Sequence, residues 1–145
     1  MKKQMIISIL MAGNILLSGT IAAQDIFELI EENNVAEIKK LLDTDPSVVN
    51  AMDQDGWMPL HWAAWEGHEA VAKLLLEKGA NVNIAIHDGI TPLHFAAEGG
   101  HEAIVKLLIE RHANINAVIK GGSYASSIFP AYGSVIKGKK EQIQL

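Results

Sequence analysis

The chain contains no cysteine. Disulfides, thiolate metal sites, a cysteine nucleophile and a lipid-modified N-terminal cysteine are therefore excluded, and nothing depends on the redox state of the compartment. Positive charge is scarce where most of the chain lies. Residues 24–119 carry 6 basic and 16 acidic residues, a balance of −10. Such a body repels phosphate backbones, which argues against a nucleic-acid ligand. Catalytic signatures are missing too. There is no H-E-x-x-H, no G-x-S-x-G and no phosphate-cradling glycine loop, and His68-Glu69 and His101-Glu102 lack the second histidine of a metalloprotease helix. The expectation is no enzyme activity, no cofactor and no metal.

What is present is a chain of 145 residues, 49% hydrophobic, with a net charge of −5. That length suits one domain, and the apolar fraction is too high for a fully disordered chain. The two ends are basic. Lys2 and Lys3 precede an apolar run from Met5 to Leu17 interrupted only by Ser8, Gly13 and Asn14, and small residues follow up to Ala22 and Ala23. This is the three-part pattern of a secretory leader, with cleavage after Ala22 or Ala23. Residues 1–23 are therefore expected to be a signal peptide, and the mature protein to be periplasmic or secreted, without a stable membrane span. The alternative is an uncleaved N-terminal anchor, which Asn14, Ser18 and Thr20 weaken against the ~20 apolar residues a bilayer span needs. Residues 120–145 carry four basic residues and Glu141, and are expected to be an irregular basic tail, either disordered or truncated.

Between these ends the chain repeats. A shift of 33 maps Gly56 onto Gly89, Pro59-Leu60-His61 onto Pro92-Leu93-His94, and Ala63-Ala64 onto Ala96-Ala97. Without a gap it also maps Gly67-His68 onto Gly100-His101, Leu74-Leu75 onto Leu107-Leu108, and Asn81 and Asn83 onto Asn114 and Asn116. Run backwards, the same shift finds an eroded copy, in which Phe27, Ile38, Leu41-Leu42 and Asn50 precede Leu60, Val71, Leu74-Leu75 and Asn83. That copy lacks the Gly, Pro and His positions and carries Asp25, Glu28, Glu31, Glu32 and Glu37, the polar exterior a terminal cap needs.

Each unit has a physical logic. Pro59 and Pro92 suit a first helical position, where the missing N–H is an orphan in any case. The alanine pairs form a narrow apolar face that lets helices approach closely. Gly67 and Gly100 break the chain before a second helix over Glu69–Lys78 and its counterpart, in which Val71, Leu74 and Leu75 recur at helical spacing. Gly79 suits a left-handed stop. A pair of such helices cannot bury its apolar stripe alone, so the units must stack.

The pattern resembles the ankyrin repeat. Thr91-Pro92-Leu93-His94-Phe95-Ala96 matches the T-P-L-H-x-A signature in full, and Met58-Pro59-Leu60-His61-Trp62-Ala63 departs only at its first position. The resemblance implies an all-α ankyrin-repeat solenoid of stacked helix–turn–helix units with short hairpin-like turn tips. It would comprise an N-terminal capping repeat (24–53) and two full repeats (54–86 and 87–119). In that family the motif threonine supports the motif histidine, so Met58 implies a less satisfied His61, by about 1 kcal/mol. His112 stands where Gly79 stands one unit earlier, implying a left-handed non-glycine that costs about 1 kcal/mol. Beyond Gly122 no further unit is recognisable, so Ile104, Leu107 and Leu108 lack a matched neighbour.

The six histidines read as structural residues. His61 and His94 recur at the repeat interval, as do His68 and His101, and helices ~8–10 Å apart hold equivalent side chains too far apart to share one ion easily. His87 and His112 read as surface residues. In ankyrin-like stacks, partners meet the turn tips and the inner face of the first helices. By position, these are Gln54, Asp55, Trp57, Trp65, Glu66, His87, Asp88, Ile90 and Glu98. Trp62, paralleled by Phe95, reads as core, whereas Trp57 and Trp65 read equally as core or as binding anchors. The expected function is an exported, non-catalytic and monomeric module presenting an acidic, tryptophan-bearing face to a protein partner with a basic surface. The alternatives are a truncated remnant of a longer array with no binding role, or an accessory protein supporting an exported enzyme, for which oxidative defence is the family analogy.

Overall fold

The structure, a computed structural model, describes residues 20–120, with side chains from Ile26 onward. Most of the predicted leader and all but the first residue of the predicted tail lie outside the described residues. Six α-helices alternate in two layers: α1 (Thr20–Glu31), α2 (Val35–Thr44), α3 (Pro59–Glu66), α4 (Glu69–Glu77), α5 (Pro92–Glu98) and α6 (Glu102–Glu110). Short 3-10 turns span Pro46–Asn50 and His87–Gly89. No β-strand is present among the described residues, and no described helix is long and apolar enough to cross a membrane. The expected cleavage points, after Ala22 and Ala23, fall in the first turn of α1.

The local rules act as the sequence implies. Pro59 and Pro92 open α3 and α5, each at the first helical position. Asn34 caps α2 by accepting the Glu37 N–H at 3.3 Å. Gly67 stops α3 at φ 80°, a left-handed conformation that strains any residue with a Cβ. The second helix of each full unit ends at Glu77, one residue short of Lys78, or at its counterpart Glu110, and the chain then turns left-handed at Gly79 (φ 97°) and His112 (φ 66°). The strained histidine is thus present as expected.

Stacking follows from the small faces. α1, α3 and α5 pack side by side in one layer, and α2, α4 and α6 form the other. Ala63, Ala64 and Ala96 are completely buried, and their short side chains set the close approach of neighbouring first helices. One continuous core runs through all three units, from Ile26, Ile30, Ile38 and Leu42 through Leu60, Val71 and Leu75 to Leu93, Val105 and Leu108. Ile104 and Leu108, expected to lack a neighbour, are buried in this core, and only Leu107 of that group is half-buried. Their shared stripe on α6 turns inward, as Val71 and Leu75 do on α4.

Two polar devices lock the units in register. Asn83 Oδ1 accepts the Asn114 N–H at 2.6 Å while its Nδ2 donates to the His112 carbonyl at 3.4 Å, so one amide ties two successive loops. The His101 ring packs against Gly67 and Gly99, so closely that a Cβ on either glycine would stand 2.5 Å from it. Its Nε2 lies 2.9 Å from the Trp65 carbonyl. His68, its counterpart, has no such seat. Asn34 occupies the place of Gly67 in the first unit, and His68 Nε2 is buried without a hydrogen-bond partner among the described residues.

Candidate functional site

The candidate face is built upward from the turn tip before α3. Asp53 Oδ1 accepts the N–H groups of Asp55 (2.9 Å) and Trp57 (2.8 Å), and Oδ2 accepts the indole Nε1–H of Trp62 at 2.8 Å. The Asp53 N–H donates to the Trp57 carbonyl at 2.9 Å and closes the tip. One carboxylate therefore fixes the turn, the segment that leaves it and a side chain of the following helix. The third unit has Ile86 in this place. Its tip closes by the Ile86 N–H to Ile90 carbonyl bond at 2.9 Å and needs Asp88 in a left-handed conformation, φ 63°.

The aromatic side chains form one connected platform. Trp62 meets Phe27 of the first unit (ring centroids 6.2 Å apart) and Trp57 (5.7 Å). Trp57 leans onto Phe95 of the third unit, with centroids 4.3 Å apart. Trp65 stands edge-on to both Phe95 (5.7 Å, 83°) and Trp57 (6.2 Å, 82°). The perpendicular Trp65 pairs have a favourable aromatic geometry, and the other pairs are tilted. The platform crosses all three units. Trp57 and Trp62 lie half-buried within it, whereas Trp65 is 43% exposed on its outer surface.

The other expected contact residues distribute around this platform. Gln54 and Asp55 are exposed on the second tip, and Glu66 and Glu98 are exposed at the ends of α3 and α5. His87 and Asp88 are exposed on the third tip, where the His87 imidazole packs over Gly56 of the second. Asp88 is engaged by Lys120, which donates its N–H to the Asp88 carbonyl at 2.7 Å and brings its ammonium 3.8 Å from the carboxylate. Ile90 is half-buried against the core. The structure thus joins Trp57 and Trp65 directly, and leaves Ile90 largely a packing residue.

The motif histidines are structural. His61 Nδ1 accepts the Met58 N–H at 3.2 Å, and Nε2 donates to the Ile84 carbonyl at 3.1 Å. Burial pushes His61 down to about 4, so the ring is neutral, as this bonding pattern requires. The expected deficit at His61 is therefore corrected: the backbone N–H of Met58 already serves Nδ1, and the absent hydroxyl orphans nothing. The deficit lies one unit on. His94 Nδ1 has both the Thr91 N–H (3.0 Å) and the Thr91 hydroxyl (2.9 Å), while its Nε2 faces Ala117 without closing a hydrogen bond. Burial holds His94 below the ordinary histidine value as well. No group of three metal-ligating side chains converges among the described residues.

The stacked two-layer units, the T-P-L-H histidine bonds and the asparagine rungs coincide with a family match, described as Ankyrin repeats (3 copies), over residues 26–119. The chain belongs to the ankyrin-repeat family. The eroded first copy is accordingly a third ankyrin repeat. Similar proteins include Ankyrin repeat domain-containing protein 49 of Drosophila melanogaster, 44% identical over 36% of this chain and 24% of its own length. The Acyl-CoA-binding domain-containing protein 6 homolog of Dictyostelium discoideum is 37% identical over 40% of this chain and 20% of its own. Human Scaffold protein ILK is 40% identical over 39% of this chain and 12% of its own. The chain thus matches a quarter or less of the length of these relatives. Ankyrin repeats are protein–protein interaction modules, and the family is generally non-catalytic.

The sequence reading missed two participants. Asp53 entered there only through the acidic balance of residues 24–119, although Asp53-Gln54-Asp55-Gly56 carries the signature of a turn whose first aspartate bonds the backbone two residues on. Phe95 was matched to Trp62 as core, but its meeting with Trp57 and Trp65 from another repeat is a tertiary contact with no local signal.

Proposed function

We propose that this ankyrin-repeat protein is an exported, non-catalytic adaptor that grips a protein partner through the acidic face around Trp65. The leader-like N-terminus supports export. The observation that carries the binding reading is Trp65 itself, a large aromatic held 43% exposed on a platform of packed rings. An indole immobilised before binding loses little further entropy on contact, which is why such residues anchor interfaces. The exposed carboxylates of Asp55, Glu66 and Glu98 favour a partner of basic character, approached faster at low salt.

The test is crosslinked capture from the exported fraction, comparing the natural chain with Trp65→Ala. Only Trp65 is replaced, because Trp57 is packed into the platform and its removal would disturb the fold. A partner retained by the natural chain and lost by Trp65→Ala supports the assignment. Undiminished capture by a folded Trp65→Ala chain removes it.

A further inference from the structure

The 33-residue shift places Glu32, Trp65 and Glu98 at one position of three consecutive repeats: just past the end of α1, in the last turn of α3 and at the end of α5. All three are exposed. No described residue forms an ion pair with either glutamate: the ion pairs among the described residues join Lys40 to Glu37, Lys78 to Asp43, Lys106 to Glu102 and Lys120 to Asp88. Because the first helices pack side by side, this position forms a row along the stack, with steps of about 10 Å set by helix packing. The row reads carboxylate, indole, carboxylate.

An occupant must match that row in charge and in spacing. A guanidinium is planar, weakly hydrated and stacks on an indole, so the central site favours arginine over an aliphatic side chain. An extended polypeptide advances about 3.3 Å per residue, so about three residues cover one step. Resting on the binding role proposed for this face, we infer that the partner contributes an extended cationic segment. It lays an arginine on Trp65 and reaches Glu32 and Glu98 with basic residues about three positions before and after.

The test titrates the full chain with two peptides of identical composition, Lys-Gly-Ser-Arg-Gly-Ser-Lys and Gly-Ser-Lys-Arg-Lys-Gly-Ser, following the indole N–H resonances. The spaced peptide is expected to bind about fivefold tighter than the bunched one and to perturb one indole above the others. The double substitution Glu32→Gln with Glu98→Gln should erase the difference while leaving the melting temperature unchanged, since both side chains are exposed and neither forms an ion pair among the described residues. Equal affinities, binding by neither peptide, or tighter binding of a leucine-substituted Leu-Gly-Ser-Leu-Gly-Ser-Leu overturn the inference. The same holds if the chain's own basic C-terminal stretch around Lys137 to Lys140 fills the row, shown by self-association that Glu98→Gln abolishes. If the peptides fail while Trp65→Ala still loses the captured partner, the binding role stands and only the cationic segment falls.

Discussion

The indole N–H of Trp62 donates to Asp53 Oδ2 at 2.8 Å, and the other oxygen of the same carboxylate holds two backbone N–H groups of the turn between them. A side chain nine residues away is thereby coupled to the shape of the tip. Asp53→Ala removes three hydrogen bonds together and should lower unfolding stability by about 2–3 kcal/mol. Asp53→Asn keeps acceptor capacity on one oxygen only and should fall between. Urea denaturation of the three chains is the check.

The glycines that turn left-handed are not equivalent. At Gly79 nothing lies within 4 Å of an added Cβ, so Gly79→Ala should cost only the backbone strain, about 1 kcal/mol. At Gly67 the added methyl would stand 2.5 Å from the His101 ring. Gly67→Ala should therefore cost about 1–2 kcal/mol more and should expel the imidazole from its bond to the Trp65 carbonyl. The comparison is read from the two melting midpoints together with the His101 resonance.

The reverse substitution is informative at His112, where φ is 66° and the side chain is exposed. His112→Gly should stabilise the last repeat by about 1 kcal/mol. A loss of stability on calorimetry would mean that the imidazole contributes packing that its exposure hides.

Acid should weaken the stack. His61 is held down to about 4 by burial, below the ordinary value of 6.5, so the folded state resists a proton that the unfolded chain accepts. Stability from this group is complete above about pH 6.5 and is lost progressively as pH falls toward about 4, where the loss levels off at roughly 3 kcal/mol. His94, displaced in the same direction, adds to the loss. The urea midpoint followed from pH 7 to pH 4 should show this decline, and His61→Gln should flatten it at the cost of overall stability.

Most of the architecture was legible because it rests on local chemistry that repeats. Proline at the first helical position, glycine past the helix end and leucine at helical spacing each act within a few residues, and the repeat interval displays each twice. What could not be read were meetings between units. His61 was expected to suffer from Met58 because the motif logic counts side chains, whereas the backbone N–H at the same position does the bonding. His94 Nε2 faces Ala117 without closing a hydrogen bond, a tertiary detail that no residue type announces. Trp57 was ambiguous for the same reason. Its place in the platform depends on Phe95, thirty-eight positions later, and only stacking brings the two rings to 4.3 Å.

The His101 ring wedged between Gly67 and Gly99 works as a spacer gauge. Its thickness sets the gap between neighbouring slabs, and the bond to the Trp65 carbonyl pins the gauge at the residue beneath the exposed indole. Only the junction of the second and third slabs carries this wedge, because His68 has no glycine seat at the junction before it, so the two gaps in the stack are held by different means. A residue of different thickness at position 101 would shift the third slab against the second while leaving the first junction as it is.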